Sequence, residues 1–292
     1  MRYHTPASFE DAVEIAAQAE GITRFLAGGT DVLVQLRSDL VTPDDLIDIK
    51  HIPGTHEIVQ NDDGSWTLGI AVTGAEMSEH AGLCAVWPGL VEGMDLIGST
   101  QVQGRATLVG NLCNGSPAAD SVPGMMAAGA TVSVMGPEGG RVVAVEDIPA
   151  GPGRTTLTKG EVITAVHIPA RGEAAGDAYQ RFIPRTEMDI AVVGVGVSLQ
   201  LDGDVITEAR VALGAVAPTA LMVPDAAAAL IGSTLDEDAK AKLAAAASAA
   251  CNPIDDKRGT IEFRTEVAGV LACRTAQRAY DRAQGKKVAK HV

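Results

Sequence analysis

Two short segments carry the side chains and the bare backbone that a bound molecule would need. The first, LAGGTDVLVQLR from Leu26 to Arg37, sets Gly28 and Gly29 between an apolar run and a stretch with helical character. Glycine lacks Cβ, so its backbone takes positive φ and its N–H can approach a bulky group closely. A tight strand-to-helix turn capped by Asp31 is the commoner use of a lone Gly-Gly pair, so the pair alone decides little. The second segment, ATLVGNLCNGSPAAD from Ala106 to Asp120, gathers hydroxyls at Thr107 and Ser116, a glycine at Gly110, amides at Asn111 and Asn114, and an acid at Asp120. That mixture of donors, acceptors and open backbone suits a long, polar, phosphorylated ligand gripped from both sides, with Asp120 accepting from sugar hydroxyls. Two unrelated turns would use the same residues, and at this level both explanations stand.

Other chemistries find little support. Gly28-Gly29-Thr30-Asp31 and Gly194-Val195-Gly196 both lack the third glycine of G-x-G-x-x-G, and there is no phosphate-binding P-loop and no G-x-S-x-G elbow. Cys84, Cys113, Cys251 and Cys273 have no metal-binding spacing and read as small buried apolar residues; the six histidines form no paired ligand motif. Asp189, in TEMDIAVV, draws attention because its surroundings are apolar.

The elements that must position these residues follow from periodicity. Ser8 caps a helix to about Gln18, followed by a strand over Thr23 to Ala27, the glycine turn, a helix to about Arg37 and a strand over Asp45 to Lys50, a small βαβ-like unit. A hairpin turns at Asn61 to Ser65 and returns through Trp66 to Val72; helices are expected over Gly74 to Cys84 and Pro88 to Ile97. From Ser99 to Val134, glycines and prolines interrupt every period, which predicts a long irregular stretch. A hairpin over Thr131 to Val145 and a strand over Val162 to Ile168 follow. A polar join spans Ala170 to Ala178, and beyond it come strands at Tyr179 to Ile183, Ile190 to Leu201 and Val205 to Ala215. Helices at Val223 to Ile231, Asp236 to Ala250 and Gly259 to Gln284 lead to a solvated tail, GKKVAKHV.

Length and charge narrow the choice of partner. The 292 residues exceed one average core. A formal charge of −14 repels nucleic acid and anionic membranes, and with aromatics at 3% a base-stacking surface is excluded. No apolar run is long enough to span a bilayer, and acidic residues at Glu10, Asp11 and Glu14 interrupt any signal peptide, so a cytoplasmic location is expected. A phosphorylated ligand would need local donors, because the mean field of the chain opposes it.

Over nearly the whole chain the sequence resembles the FAD-binding medium subunit of molybdenum hydroxylases, the family of carbon monoxide dehydrogenase and xanthine dehydrogenase. AGGTDVLVQLR resembles the family's first flavin loop, and ATLVGNLCNGSPAAD its second, usually A-T-I-G-G-N-x-x-x-x-S-P-x-x-D. YQRFIPRTEMDIAVVGVGV resembles the opening of the C-terminal domain, and RGTIEFRTEVAGVLACRTAQRA its closing helix. The resemblance implies an α+β chain. Two FAD-binding subdomains of the vanillyl-alcohol-oxidase type would occupy 1–55 and 56–175, and an antiparallel sheet with helices would occupy 176–292.

Carried over by position, Ala27, Gly28, Gly29, Thr30 and Asp31 would bind the pyrophosphate of FAD. Thr107, Gly110, Asn111, Asn114 and Asp120 would hold the diphosphate and sugar chain. Ile163 would touch the flavin region, Arg181 would stand for the family's lysine near the ring, and Asp189 would be a ring-side or structural acid. No catalytic acid, base, nucleophile or metal ligand is implied on this chain. The implied partners are a small subunit with two-iron, two-sulfur clusters and a large molybdopterin subunit, assembled as a dimer of heterotrimers. A stand-alone flavin oxidoreductase of the same fold, or a non-catalytic assembly subunit without FAD, are the alternatives. Val109 departs from the pattern, replacing the first glycine of G-G-N. A β-branched residue resists positive φ, so either the backbone differs there or that glycine is not conformationally required.

Overall fold

In the computed structural model of the chain, residues 1–186 and 188–289 are described; Lys290, His291 and Val292, part of the expected solvated tail, lie outside them. The chain opens with β1 (Arg2–His4), α1 (Phe9–Gln18), β2 (Thr23–Leu26), α2 (Val32–Arg37) and β3 (Asp45–Asp48). The Ser8 hydroxyl caps α1 by accepting the Asp11 N–H, and Ala12, Val13 and Ala16 form its buried side. β3 lies between β1 and β2, parallel to both, with Leu26 opposite Asp48. The βαβ unit is therefore present, and β1 adds a strand too short to reveal itself by alternation. A bidentate bond from Arg2 to Asp45, 2.7 Å at each oxygen, fixes it to β3.

A second layer follows: β4 (Ile58–Gln60), β5 (Trp66–Gly69), α3 (Gly74–Glu79), α4 (Ala81–Val86) and α5 (Pro88–Asp95). The single helix expected over Gly74 to Cys84 is two. At His80 the backbone is extended (φ −82°, ψ 93°), ending α3, and the imidazole Nδ1 accepts the Leu83 N–H at 3.1 Å to start α4. The stretch expected to be irregular contains α6 (Thr100–Gln103), α7 (Leu108–Cys113) and α8 (Ser121–Ala127). Pro123 does not break α8 because it sits in the first turn, where an N–H has no intrahelical acceptor. The layer closes with β6 (Thr131–Gly136), β7 (Gly139–Ala144), β8 (Pro149–Gly151), β9 (Arg154–Thr155) and β10 (Val162–Ile168). Its five-stranded antiparallel sheet has the order β4-β5-β10-β6-β7, with an irregularity in β10 between Ile163 and Ala165. Trp66, Leu68, Leu90, Met94, Met125 and Val166 belong to one continuous core beneath it.

The last layer is an antiparallel sheet of β11 (Ala175–Phe182), β12 (Val193–Asp202), β13 (Val205–Gly214) and β14 (Leu221–Met222), followed by α9 (Pro224–Leu230), α10 (Glu237–Ala249) and α11 (Ile261–Ala283). β12, β13 and all three helices share a second apolar core. β11 begins inside the segment that reads as a polar join. The polar residue there is buried with partners: Asp177 accepts the Leu90 N–H at 3.0 Å and Arg171 at 2.9 Å. The chain is α+β, as expected, and no helix among the described residues is long and apolar enough to cross a membrane.

Buried charge ties the last layer to the second. Glu92 on α5 accepts from Arg282 (2.5 and 3.1 Å), Arg278 (3.3 Å) and the Tyr179 N–H (3.1 Å). Arg171 stacks over the Trp87 ring at 4.5 Å. Removing Glu92 would strand two guanidinium groups in a dry interface, whereas breaking an exposed pair costs little. Glu92→Ala is expected to lower the unfolding free energy by roughly 3–5 kcal/mol in urea titration, while Glu237→Ala, which breaks an exposed pair with Lys240, is expected to leave the midpoint unchanged.

Candidate functional site

The two segments singled out in the sequence form opposite walls of one cleft of about 390 Å³. Ala27, Gly28, Gly29, Thr30 and Asp31 line one side. Thr107, Gly110, Asn111 and Asn114 line the other, and Ile163 of β10 joins them. Across the cleft, Gln35 on α2 donates to the Asn114 amide oxygen at 3.3 Å.

The glycines of the first turn are bare for two different reasons. A β-carbon on residue 28 would lie 1.9 Å from the Arg105 carbonyl oxygen, so Gly28 is required by the neighbouring backbone before any ligand is considered. Gly29 has φ +80°, a conformation L side chains disfavour. Asp31 does not cap α2 as expected. Its backbone is already right-handed helical (φ −96°, ψ −53°), and its side chain makes no cap bond. Its carboxyl points to no cation, and partial desolvation raises its pKa. The N–H groups of Gly28, Gly29, Thr30 and Asp31 find no acceptor among the described residues. Four consecutive free donors beside a helix start form a concavity suited to an anion.

The second wall is held by its own side chains. The Thr107 hydroxyl caps α7 by accepting the Gly110 N–H at 3.0 Å. Val109 lies in that helix with no positive φ, so the family's glycine is not conformationally required there. The Asn111 oxygen accepts from the Ser121 hydroxyl at 2.7 Å and its N–H at 3.3 Å, which fixes the amide at the cleft wall.

Asp120, Arg181 and Asp189 are not part of the lining. Asp120 accepts from the Tyr179 hydroxyl at 2.8 Å and from Arg181 at 2.6 Å, one residue behind the Asn111–Ser121 contact. Its carboxylate is thus occupied by protein donors. Burial pushes it up to about 6, against the opposing pull of Arg181 and the Tyr179 hydroxyl. Asp189 accepts from Arg185 and Arg258, at 3.1 and 3.0 Å, and these cations hold its carboxyl well below the usual range. It acts as a structural acid, pinning the segment after β11 to the turn before α11.

The cleft lining combines apolar side chains, among them Phe25, Ile97, Leu157 and Val162, with amides, hydroxyls and the glycine turn. Of the six buried side-chain polar atoms without a partner among the described residues, Thr23 Oγ1 belongs to the cleft lining. A molecule with flat apolar parts and an anionic group fits this lining. No described group of histidine, cysteine or carboxylate side chains is placed to hold a metal ion. Cys113 is exposed at the cleft, contrary to the buried role expected for it. Arg24, Phe25, Gln35, Ile97 and Leu157 were missed as lining residues. Arg24 and Phe25 directly precede the glycine turn, a proximity that could have flagged them, whereas Ile97 and Leu157 are recruited only by tertiary folding.

Comparison with known proteins gives a consistent pattern. Residues 1–171 match the family described as FAD binding domain in molybdopterin dehydrogenase, and residues 178–279 match CO dehydrogenase flavoprotein C-terminal domain. The carbon monoxide dehydrogenase medium chain of Afipia carboxidovorans is 33% identical, with 97% of each chain covered. A putative xanthine dehydrogenase FAD-binding subunit of Escherichia coli is 29% identical, again with 97% of each covered. Among solved structures, a Cu,Mo-CO dehydrogenase in its cyanide-inactivated form superposes with a TM-score of 0.92 at 33% identity, covering 97% of this chain and 98% of that one. Quinoline 2-oxidoreductase from Pseudomonas putida gives 0.88 at 28% identity, with the same coverage.

The Asp120 environment has a pH signature. A carboxyl that holds its proton more tightly folded than unfolded favours folding at low pH and loses that contribution as pH rises through its folded value. Wild type is therefore expected to lose stability relative to Asp120→Asn, by on the order of 2 kcal/mol, as pH rises from about 4 to above 6. Denaturant titrations across that range would show it; parallel curves would contradict it.

Proposed function

The chain belongs to the FAD-binding medium subunits of the molybdenum hydroxylase family, and from that premise we propose that it relays electrons from the iron-sulfur clusters of a small subunit through FAD to an external acceptor. It is an FAD-binding chain of an oxidoreductase. In this proposal a large molybdopterin subunit oxidises the substrate, the assembly is a dimer of heterotrimers, and the complex works in the cytoplasm.

The observation that carries the proposal is that Gly28 to Asp31, whose N–H groups have no acceptor among the described residues, line one cleft with Asn111 and Asn114. The backbone of the first turn would hold the diphosphate, helped by Thr30, while Thr107 keeps α7 in place. Phe25, Ile97 and Ile163 would enclose flat apolar parts of the cofactor and exclude water from them. Asp120 would hold Arg181 behind the lining, from where its charge would act on the cofactor through the wall and not by direct contact. A cation there favours reduced flavin by offsetting its negative charge. When bound, FAD supplies the redox chemistry, taking up and releasing electrons, so the chain needs to bind, orient and tune.

With the complex intact, substrate for the large subunit is expected to bleach the flavin absorbance of this chain. With the small subunit omitted, the same substrate is expected to leave it oxidised. Bleaching of the isolated chain by substrate would favour a stand-alone oxidoreductase and contradict the relay.

A further inference from the structure

The cleft lining continues back from the glycine turn into β2, through Thr23, Arg24 and Phe25. β2 is the outer strand of its sheet and is bonded to β3 alone. The register decides which of its backbone groups that bonding uses. The Asp45 N–H donates to the Ile22 carbonyl at 3.2 Å, and the Ile49 N–H donates to the Leu26 carbonyl at 3.1 Å. In a parallel pair alternate residues turn their backbone groups to the partner strand, so Ile22, Arg24 and Leu26 serve β3. Thr23 and Phe25 present theirs along the free edge.

Little of the protein satisfies that edge. The Thr23 carbonyl accepts from the Arg24 guanidinium at 3.1 Å. The Thr23 and Phe25 N–H groups and the Phe25 carbonyl have no partner among the described residues. The Thr23 side chain adds an independent observation: its Oγ1 is buried and also without a partner, in a residue that lines the cleft. Leaving a buried hydroxyl unbonded is costly, whereas valine fills the same space in a strand without that cost. The hydroxyl is therefore matched to a polar atom that the chain does not supply.

Resting on the FAD site proposed above, we infer that the free edge of β2, through the Thr23 hydroxyl and the Phe25 backbone, reads the adenine base of the dinucleotide. Adenine sets an amino donor beside a ring-nitrogen acceptor. One residue on a free strand edge sets a carbonyl acceptor beside an N–H donor, the complementary pattern, and the match needs no charge. The flavin ring gains negative charge on reduction and is served, on the reading above, by Arg181 from behind the second segment. The β2 edge, which belongs with the first segment, is left to the base that stays neutral.

The test uses the full chain freed of flavin, with binding followed by calorimetry. Thr23→Val is expected to weaken FAD binding roughly five- to tenfold, the loss of one hydrogen bond, and to change binding of FMN, which lacks the adenylate, by less than about twofold. An FAD analogue carrying hypoxanthine in place of adenine, with a carbonyl where the amino donor stood, is expected to bind wild type roughly tenfold more weakly than FAD does. The urea midpoint of the flavin-free Thr23→Val chain is expected to equal or exceed that of wild type. A lower midpoint would make the hydroxyl a structural group and overturn the inference. FAD binding unchanged in Thr23→Val, equal losses for FAD and FMN, or an analogue held as tightly as FAD would overturn it and leave the FAD site standing. Failure of wild type to bind FAD would overturn the site, and the adenine contact with it.

Discussion

A β-carbon at residue 28 would sit 1.9 Å from the Arg105 carbonyl oxygen, well inside contact distance, so the first turn reaches the second segment only while that position is glycine. The rest of the site depends on that approach. Ala106, next along, accepts the Gly74 N–H at 2.9 Å, and Thr107 bridges to Thr73, so the second segment is anchored to the start of α3. α3 in turn belongs to the core under the five-stranded sheet through Met77. The parallel three-stranded layer, the helical linker and the antiparallel sheet are thereby locked around one cleft. The first turn and the amides of the second segment line it together.

Charge is handled in two ways. Where it is buried, it is paired and hydrogen-bonded, as at Glu92 with Arg282, Arg278 and the Tyr179 N–H, and these contacts set how the C-terminal layer sits on α5. At the cleft, Glu161 is paired with Arg141, while Asp31 has no cation partner among the described residues. The first arrangement fixes geometry, since an ion stripped of its partner in a dry interface is costly.

Much of this was legible in sequence because the signals are local. Ser8 before an apolar period marks α1, the Asn61–Ser65 turn marks a hairpin, and the long period before Gln284 marks α11. The site was legible as two segments of matching chemistry. What failed depended on tertiary structure. Pro123 and the glycines between Ser99 and Val134 look like breakers, but capping by Thr107 and burial of Leu108, Leu112 and Met125 outweigh their propensities. His80 divides a helix because its ring serves as a cap, and β1 exists because Arg2 and His4 reach Asp45. Asp120 is engaged by Arg181, and Asp189, of whose two expected roles the structure favours the structural one, by Arg258; both arginines lie far away in sequence, a pairing no spacing reveals.

The central claim is that both segments grip one anionic cofactor together. Hydrogen exchange of the full chain with and without FAD tests it most directly, because the relevant donors are backbone amides. Slowed exchange over Gly28 to Asp31 and over Leu108 to Asn114, appearing together and saturating at one FAD per chain, is the expected result. Protection confined to one segment, or to neither while FAD remains bound, would contradict it.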